Sequence, residues 1–164
     1  MNHTILVAGI GNIFQRDDGF GVEVANRLAR RDLPHQVRVE DFGIRGVHLA
    51  YELLEGYEGL VLVDAIDLQD APGTLTVLEP EIEDASTDES APDAHSMSPE
   101  VVLGTLARLG GSVGQIFVVG CQPASLDEGM GLSPPVTAAI GPAVELCSQL
   151  VAEMLRPVRK EARK

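Results

Sequence analysis

The chain has 164 residues, a length that suits one domain with one hydrophobic core. Hydrophobic residues make up 45% of it and aromatic residues only 4%, so Val, Leu, Ile and Ala must supply most of that core. The formal net charge of −13 would repel a phosphate backbone, which argues against nucleic-acid binding. No signal peptide and no membrane-spanning run is recognised, and the two cysteines, Cys121 and Cys147, form no CxxC motif. These features predict a cytoplasmic protein with neither a nucleic acid nor a membrane as its partner.

Strand-like and helix-like segments alternate along the chain. Continuously apolar runs predict strands buried on both faces, alternating runs predict strands with one exposed face, and apolar residues at helical spacing predict helices. In chain order the predicted elements are strand 4–9, helix 21–31, strand 37–41, helix 47–54, strand 59–64, strand 74–78, helix 98–109, strand 115–120 and helix 135–155. This order predicts a three-layer α/β/α fold, of a phosphorylase/hydrolase-like kind, with a mostly parallel, twisted sheet of about five strands.

The predicted domain is single and covers residues 1–155, and the basic tail at 156–164 is expected to be disordered. The short strand at 74–78 is expected at an edge of the sheet. Residues 79–95 are acidic with few large apolar side chains, and a segment of this length is either functional or disordered. Because His95 lies at its end, we favour a functional segment.

Asp18 and Asp64 each follow a strand-like run, Asp18 across a short turn. His95 lies in the longest loop, which is expected to return to the strand ends. In an open α/β sheet, ligands bind outside the carboxyl ends of the strands. Two carboxylates and an imidazole meeting there can hold a transition metal and leave a coordination position open. Each residue alone has an ordinary explanation, as a helix-start acid, a strand-end acid or a surface histidine. Their expected convergence predicts a metal site.

Other residues near the same strand ends allow two interpretations each. Asp41 is either a strand terminus or a cleft acid near the metal site, and Arg45 either binds a carboxylate or pairs with Asp41 or the acidic segment. Cys121 is better explained as a small buried hydrophobe than as a nucleophile. The glycines at 9–12 resemble part of a dinucleotide fingerprint, but Phe14 occupies the third glycine position, so a nucleotide-binding enzyme is a weaker alternative.

Seven segments together resemble the hydrogenase maturation proteases. In chain order they are ILVAGIGN at 5–12, DDGFGV at 17–22, DFGIRG at 41–46, VDA at 63–65, APGT at 71–74, the loop that carries His95, and GLSPP at 131–135. The resemblance implies a cytoplasmic endopeptidase, classed as aspartic-type and often monomeric. Such enzymes remove a C-terminal peptide from the large-subunit precursor of a nickel–iron hydrogenase after nickel insertion, cleaving after a basic residue.

The family's metal-binding trio maps onto Asp18, Asp64 and His95. Many members have Glu at the first position, and the adjacent Asp17 is an alternative there. We hypothesise that the trio holds no permanent metal, although other divalent metals can occupy it, and contacts the nickel already in the precursor. The catalytic set is then Asp18, Asp64, His95 and Asp41, with one of the aspartates accepting a proton from the attacking water. The alternative function is a non-catalytic nickel chaperone or checkpoint protein.

Overall fold

A computed structural model describes residues 4–80 and 98–156. Its strands are β1 Ile5–Ile10, β2 Val37–Gly43, β3 Gly59–Ala65, β4 Leu75–Leu78 and β5 Gln115–Cys121. Its α-helices are α1 Phe20–Leu28, α2 Gly46–Leu53, α3 Pro99–Arg108 and α4 Pro134–Leu155, and a short 3-10 helix, Arg16–Gly19, precedes α1. Every strand and helix predicted from the sequence is present, with ends displaced by at most a few residues. The predicted acidic segment, apart from its first residues, and the tail from residue 157 lie outside the described residues.

The five strands form one sheet in the order β2-β1-β3-β5-β4. Four are parallel, and β4 runs antiparallel to β5 at the edge. The predicted mostly parallel sheet and the edge position of β4 are therefore confirmed. The parallel register aligns Gly9 of β1 with Asp41 of β2 and Val63 of β3, so the carboxyl ends of these strands meet along one rim.

Two hydrophobic clusters cover the two faces of the sheet, which confirms the three-layer architecture. Helices α1 and α4 pack on one face, around Val7, Val61 and Val119. Helices α2 and α3 pack on the other face, around Leu6, Leu60 and Leu62. Strands β1 and β3 are apolar on both faces because each face is buried under helices.

Helix α1 lies unusually close to the sheet because two glycines face each other. A Cβ atom added to Gly9 would lie 2.1 Å from the carbonyl oxygen of Gly21. A Cβ atom added to Gly21 would lie 2.1 Å from the carbonyl oxygen of Val63. This contact places the 3-10 helix and the start of α1 directly over the carboxyl ends of β1 and β3.

Helix α4 is the longest element, with 22 residues. Among the described helices, it is long and apolar enough to cross a membrane, judged by length and composition alone. This apolar length differs from the prediction that the sequence contains no membrane-spanning run. Seven of its residues, among them Val136, Ile140 and Cys147, are buried, and they pack against α1 and the sheet. The apolar character of α4 is therefore used in the core.

Candidate active site

Asp64 is a carboxylate buried at the end of β3. Its side chain follows the alternation of Leu60 and Leu62, which places it on the α2/α3 face of the sheet, and the residue is only 5% exposed. Burial raises the pKa of Asp64 well above its ordinary value, and the negative charges of Asp18 and Glu100 raise it further. The backbone N–H of Ala65 lowers the pKa of Asp64, but by less than burial or the Asp18 charge raises it. Asp64 is thus an acid with neighbouring carboxylates and no cationic partner among the described residues.

Asp18 lies in the 3-10 helix opposite Asp64. Its Oδ2 accepts a hydrogen bond of 2.8 Å from the backbone N–H of Asn12. Burial raises the pKa of Asp18, and the Asn12 hydrogen bond offsets part of that rise. Gly11, at φ +138°, allows this close approach, since a Cβ atom there would lie 1.9 Å from the Asp18 carbonyl oxygen. Two of the three predicted metal-binding residues, Asp18 and Asp64, therefore lie close enough for their charges to interact.

Asp17 has a different role from its neighbour. It is fully buried, and its carboxylate accepts hydrogen bonds from the backbone N–H groups of Ala124, Ser125 and Ser133 and from the Ser133 hydroxyl, at 2.7–3.1 Å. Burial acts to raise the pKa of Asp17, but these hydrogen bonds together bring it below its ordinary value. Asp17 fastens the loop before α4 to the rim, and its oxygens are already occupied. It is therefore poorly placed to substitute for Asp18.

Asp41 lies two strands from Asp64, with β1 between them, a separation of roughly 10 Å across the sheet. It follows the alternation of Val37 and Val39, which belong to the α1/α4 side, whereas Asp64 faces α2 and α3. Asp41 and Asp64, two members of the predicted catalytic set, thus lie on opposite faces of the sheet. Arg45 donates hydrogen bonds to the backbone carbonyls of Asp41 and Phe42, and it forms no ion pair with the carboxylates that the structure describes.

A cavity of about 470 Å³ opens beside Asp64. Its carboxylates come from Asp64, Asp67 and Glu100. Its apolar walls come from residues that are distant in the sequence, namely Ile66, Leu78, Pro80, Pro99, Leu103 and Val118. The sequence analysis did not select Glu100, because an acid in the first turn of a helix is fully explained by the helix dipole. This cavity can admit a peptide side chain next to the buried acid.

His95, the third predicted ligand, lies outside the described residues. Within residues 4–80 and 98–156, no three His, Cys, Asp or Glu side chains converge on a position suitable for a metal ion. The described part of the chain therefore supplies two neighbouring carboxylates and leaves the rest of the predicted site untested.

Cys121 ends β5 near the same rim, but its environment does not suit a nucleophile. The residue is fully buried, and burial, with a smaller effect of the Asp17 charge, raises the pKa of its thiol to about 11. A thiol with that pKa is almost entirely protonated near neutral pH. The interpretation of Cys121 as a small buried hydrophobe is supported.

Comparison with known proteins identifies the family. The family model described as hydrogenase maturation protease matches residues 22–150. The chain belongs to the hydrogenase maturation protease family. The matched range includes Asp41, Asp64 and His95, whereas Asp18 lies four residues before it.

Individual members of the family match over nearly the whole chain. The hydrogenase expression/formation protein HupD of Bradyrhizobium diazoefficiens is 34% identical over 154 residues, 93% of this chain and 80% of that protein. The hydrogenase 2 maturation protease of Escherichia coli is 35% identical over 144 residues, 86% of each chain. The solved structure of the E. coli hydrogenase maturating endopeptidase HybD superposes with a TM-score of 0.76 at 32% identity, covering 91% of this chain and 92% of that one. The protein is thus a hydrogenase maturation endopeptidase by family and by fold.

Proposed function

We propose that this protein removes the C-terminal extension of a nickel–iron hydrogenase large-subunit precursor in the cytoplasm, after nickel has been inserted. The family and the names of its relatives support a hydrogenase protein as the substrate. The observation that carries the site assignment is the pair formed by Asp18 and the buried Asp64. Burial raises the pKa of both, the charge of Asp18 raises that of Asp64 further, and no cation among the described residues lowers the pKa of either. Such a pair is suited to a divalent cation that arrives with the substrate.

The nickel of the precursor would offset the two unfavourable terms at this pair. Burying a carboxylate without a counter-charge is costly, and a second carboxylate nearby adds repulsion. A cation contacted by both Asp18 and Asp64 attracts both carboxylates. This attraction outweighs the repulsion between them and offsets part of the cost of burying them. A precursor without nickel lacks this favourable contact, so metal insertion becomes a condition for productive binding.

We propose His95 as the third contact, as the family resemblance implies. Its neighbour in the sequence, Ser98, three residues later, lines the cavity beside Asp64.

The chemistry requires a polarised carbonyl and a base that activates water. The nickel in the substrate can act as the Lewis acid. Asp18 is our candidate for the proton acceptor, because its side chain is only partly buried and can be reached by water. Asp41 is less suited to this step, since it lies on the other face of the sheet. An aspartate as general base agrees with the proposed aspartic-type class.

The test is processing of a nickel-loaded large-subunit precursor, followed by intact-mass spectrometry. We expect Asp18→Asn, Asp64→Asn and His95→Ala each to reduce the rate by roughly 10²-fold or more. The control is His48→Ala, an exposed histidine on α2, which should leave the rate unchanged. Near wild-type processing by Asp64→Asn would overturn the site assignment. Tight nickel binding by the isolated protein without any processing would support the chaperone function instead.

A further inference from the structure

Two loops at the rim, joined by backbone hydrogen bonds, each expose a large apolar side chain. Phe14 is 61% exposed and Met130 is 63% exposed, the highest values among the large hydrophobic residues that the structure describes. The loops are joined through Gly129, whose backbone N–H donates to the Phe14 carbonyl at 2.9 Å and whose carbonyl accepts from the Arg16 N–H at 2.9 Å. The exposed side chains therefore stand on a hydrogen-bonded backbone rather than on a free loop.

Arg16 lies beside Gly129, and its backbone has an uncommon conformation. Its φ is +49°, a left-handed value that few bulky residues adopt, and the Gly129 hydrogen bond holds it there. Its guanidinium lies over Gly129, where a Cβ atom would be 2.8 Å from the Arg16 Cζ. The ion pairs of the described residues involve Arg27, Arg31 and Arg38 but not Arg16, although Asp127 and Glu128 are close to Gly129 in the chain.

Asn12 connects this surface to the candidate active site. Its backbone N–H donates to Asp18, and its side-chain Oδ1 accepts from the Phe14 N–H at 2.9 Å. Asp17, between Arg16 and Asp18, fastens the loop before α4, to which Met130 belongs. Phe14, Arg16 and Met130 therefore stand on backbone that is linked by hydrogen bonds to the segment that carries Asp18.

We propose that Phe14, Arg16 and Met130, here called the rim patch, form a docking surface for the precursor protein, with Arg16 binding a carboxylate of that precursor. This inference rests on the proposed function, which supplies the precursor as the partner. Covering Arg16 without an acceptor would leave a desolvated charge, so the segment that covers it must bring an acidic group along with its apolar side chains. Aromatic and arginine side chains are also the residues that most often dominate binding energy at protein interfaces.

The experiment measures the Kd of the nickel-loaded precursor, together with KM and kcat for its processing. We expect the Phe14→Ala/Met130→Ala double variant to raise Kd and KM about tenfold or more, while kcat changes by less than about twofold. Arg16→Asn should raise Kd and KM by about fivefold; Asn is chosen because it tolerates a positive φ. Arg16→Lys, which keeps the positive charge, should raise Kd and KM by less than Arg16→Asn does. The matched control is Tyr51→Ala, 55% exposed on α2, which should match wild type.

Thermal unfolding of each variant separates loss of docking from loss of fold, because exposed side chains contribute little to stability. The docking role of the rim patch would be overturned if the double variant and Arg16→Asn bound the precursor as tightly as Tyr51→Ala does. Wild-type protein that binds the precursor through the rim patch but does not process it would overturn the proposed function alone. Wild-type protein that neither binds nor processes the precursor would overturn both.

Discussion

Asp17, Asp18 and Asp64 lie near one rim, yet their surroundings give them different protonation behaviour. Asp17 is hydrogen-bonded by three backbone N–H groups and a hydroxyl, and its pKa is lowered despite burial. Burial raises the pKa of Asp18 and, more strongly, that of Asp64. Asp17 therefore stabilises the fold as a carboxylate, while Asp64 is a carboxylate that the fold tolerates at a cost.

Asp64→Asn is expected to stabilise the free protein at pH 7. The raised folded-state pKa means that the folded protein binds this proton more tightly than the unfolded chain does. Stability from Asp64 is thus present below the unfolded pKa of about 3.9 and is lost as the pH rises through the folded pKa. The neutral amide avoids that loss, and we expect a gain of about 1 kcal/mol or more, or roughly 2–4 °C in Tm per kcal/mol. Thermal unfolding between pH 4 and 8 should show the gain shrinking as the pH falls.

Asp17→Asn is the matched control, and its effect should have the opposite sign. Because the pKa of Asp17 is lowered, its stabilisation is present above the unfolded pKa and is lost as the pH falls through the folded pKa. An amide at this position offers one acceptor oxygen to a set of buried donors, at an expected cost of about 1–3 kcal/mol at pH 7. Shifts of the same sign for Asp17→Asn and Asp64→Asn would contradict these assignments.

Sequence reasoning could select Asp18 and Asp64 but could not separate Asp17 from Asp18. The distinguishing partners of Asp17 are Ala124, Ser125 and Ser133, all more than 100 residues away in the chain. Nothing in the local DDGFG pattern reveals them. Glu100 was missed for a related reason, because its proximity to Asp64 depends on the packing of α3 across the sheet.

At the scale of elements, the contact of α1 with β1 and β3 positions the site. Gly9 and Gly21 let the helix approach until backbone atoms touch, and the 3-10 helix with Asp18 follows from that placement. The strands and helices could be predicted from the sequence because continuous apolar runs indicate buried strands, whereas apolar residues at helical spacing indicate helices. It could not give the distance between α1 and the sheet, which depends on the absence of two Cβ atoms.

Gly21→Ala is expected to destabilise the protein strongly. Its Cβ atom would lie 2.1 Å from the Val63 carbonyl and 2.5 Å from the Ile10 carbonyl, so the backbone of α1 must move. We expect a loss of about 3 kcal/mol or more, as for severe overpacking, measured by urea unfolding. The control is Gly141→Ala in α4, where an added Cβ atom meets nothing within 4 Å apart from its chain neighbours. We expect its free energy of unfolding to change by less than about 1 kcal/mol, because the helix preference of Ala is offset by its contact with the ring of the following Pro142. A Gly21→Ala protein as stable as wild type would show that this contact does not position the rim.

At the scale of the whole molecule, the parallel topology gathers the site. The ends of β1, β3 and β5 bring together loops that are distant in sequence. Two of these loops are joined by hydrogen bonds that the Asp17 carboxylate accepts and by those of the Gly129 backbone. The alternation of strands and helices was enough to predict this gathering at one edge. The side chains that dock a protein partner could not be predicted, because Phe14 and Met130 become neighbours only through Gly129.

Nickel in the precursor is proposed to make that precursor a substrate. The most direct measurement is intact-mass spectrometry of one large-subunit precursor, prepared with and without nickel and incubated with the wild-type protein under otherwise equal conditions. We expect loss of a short C-terminal peptide from the nickel-loaded precursor and none from the nickel-free form. Equal processing of both forms would contradict it.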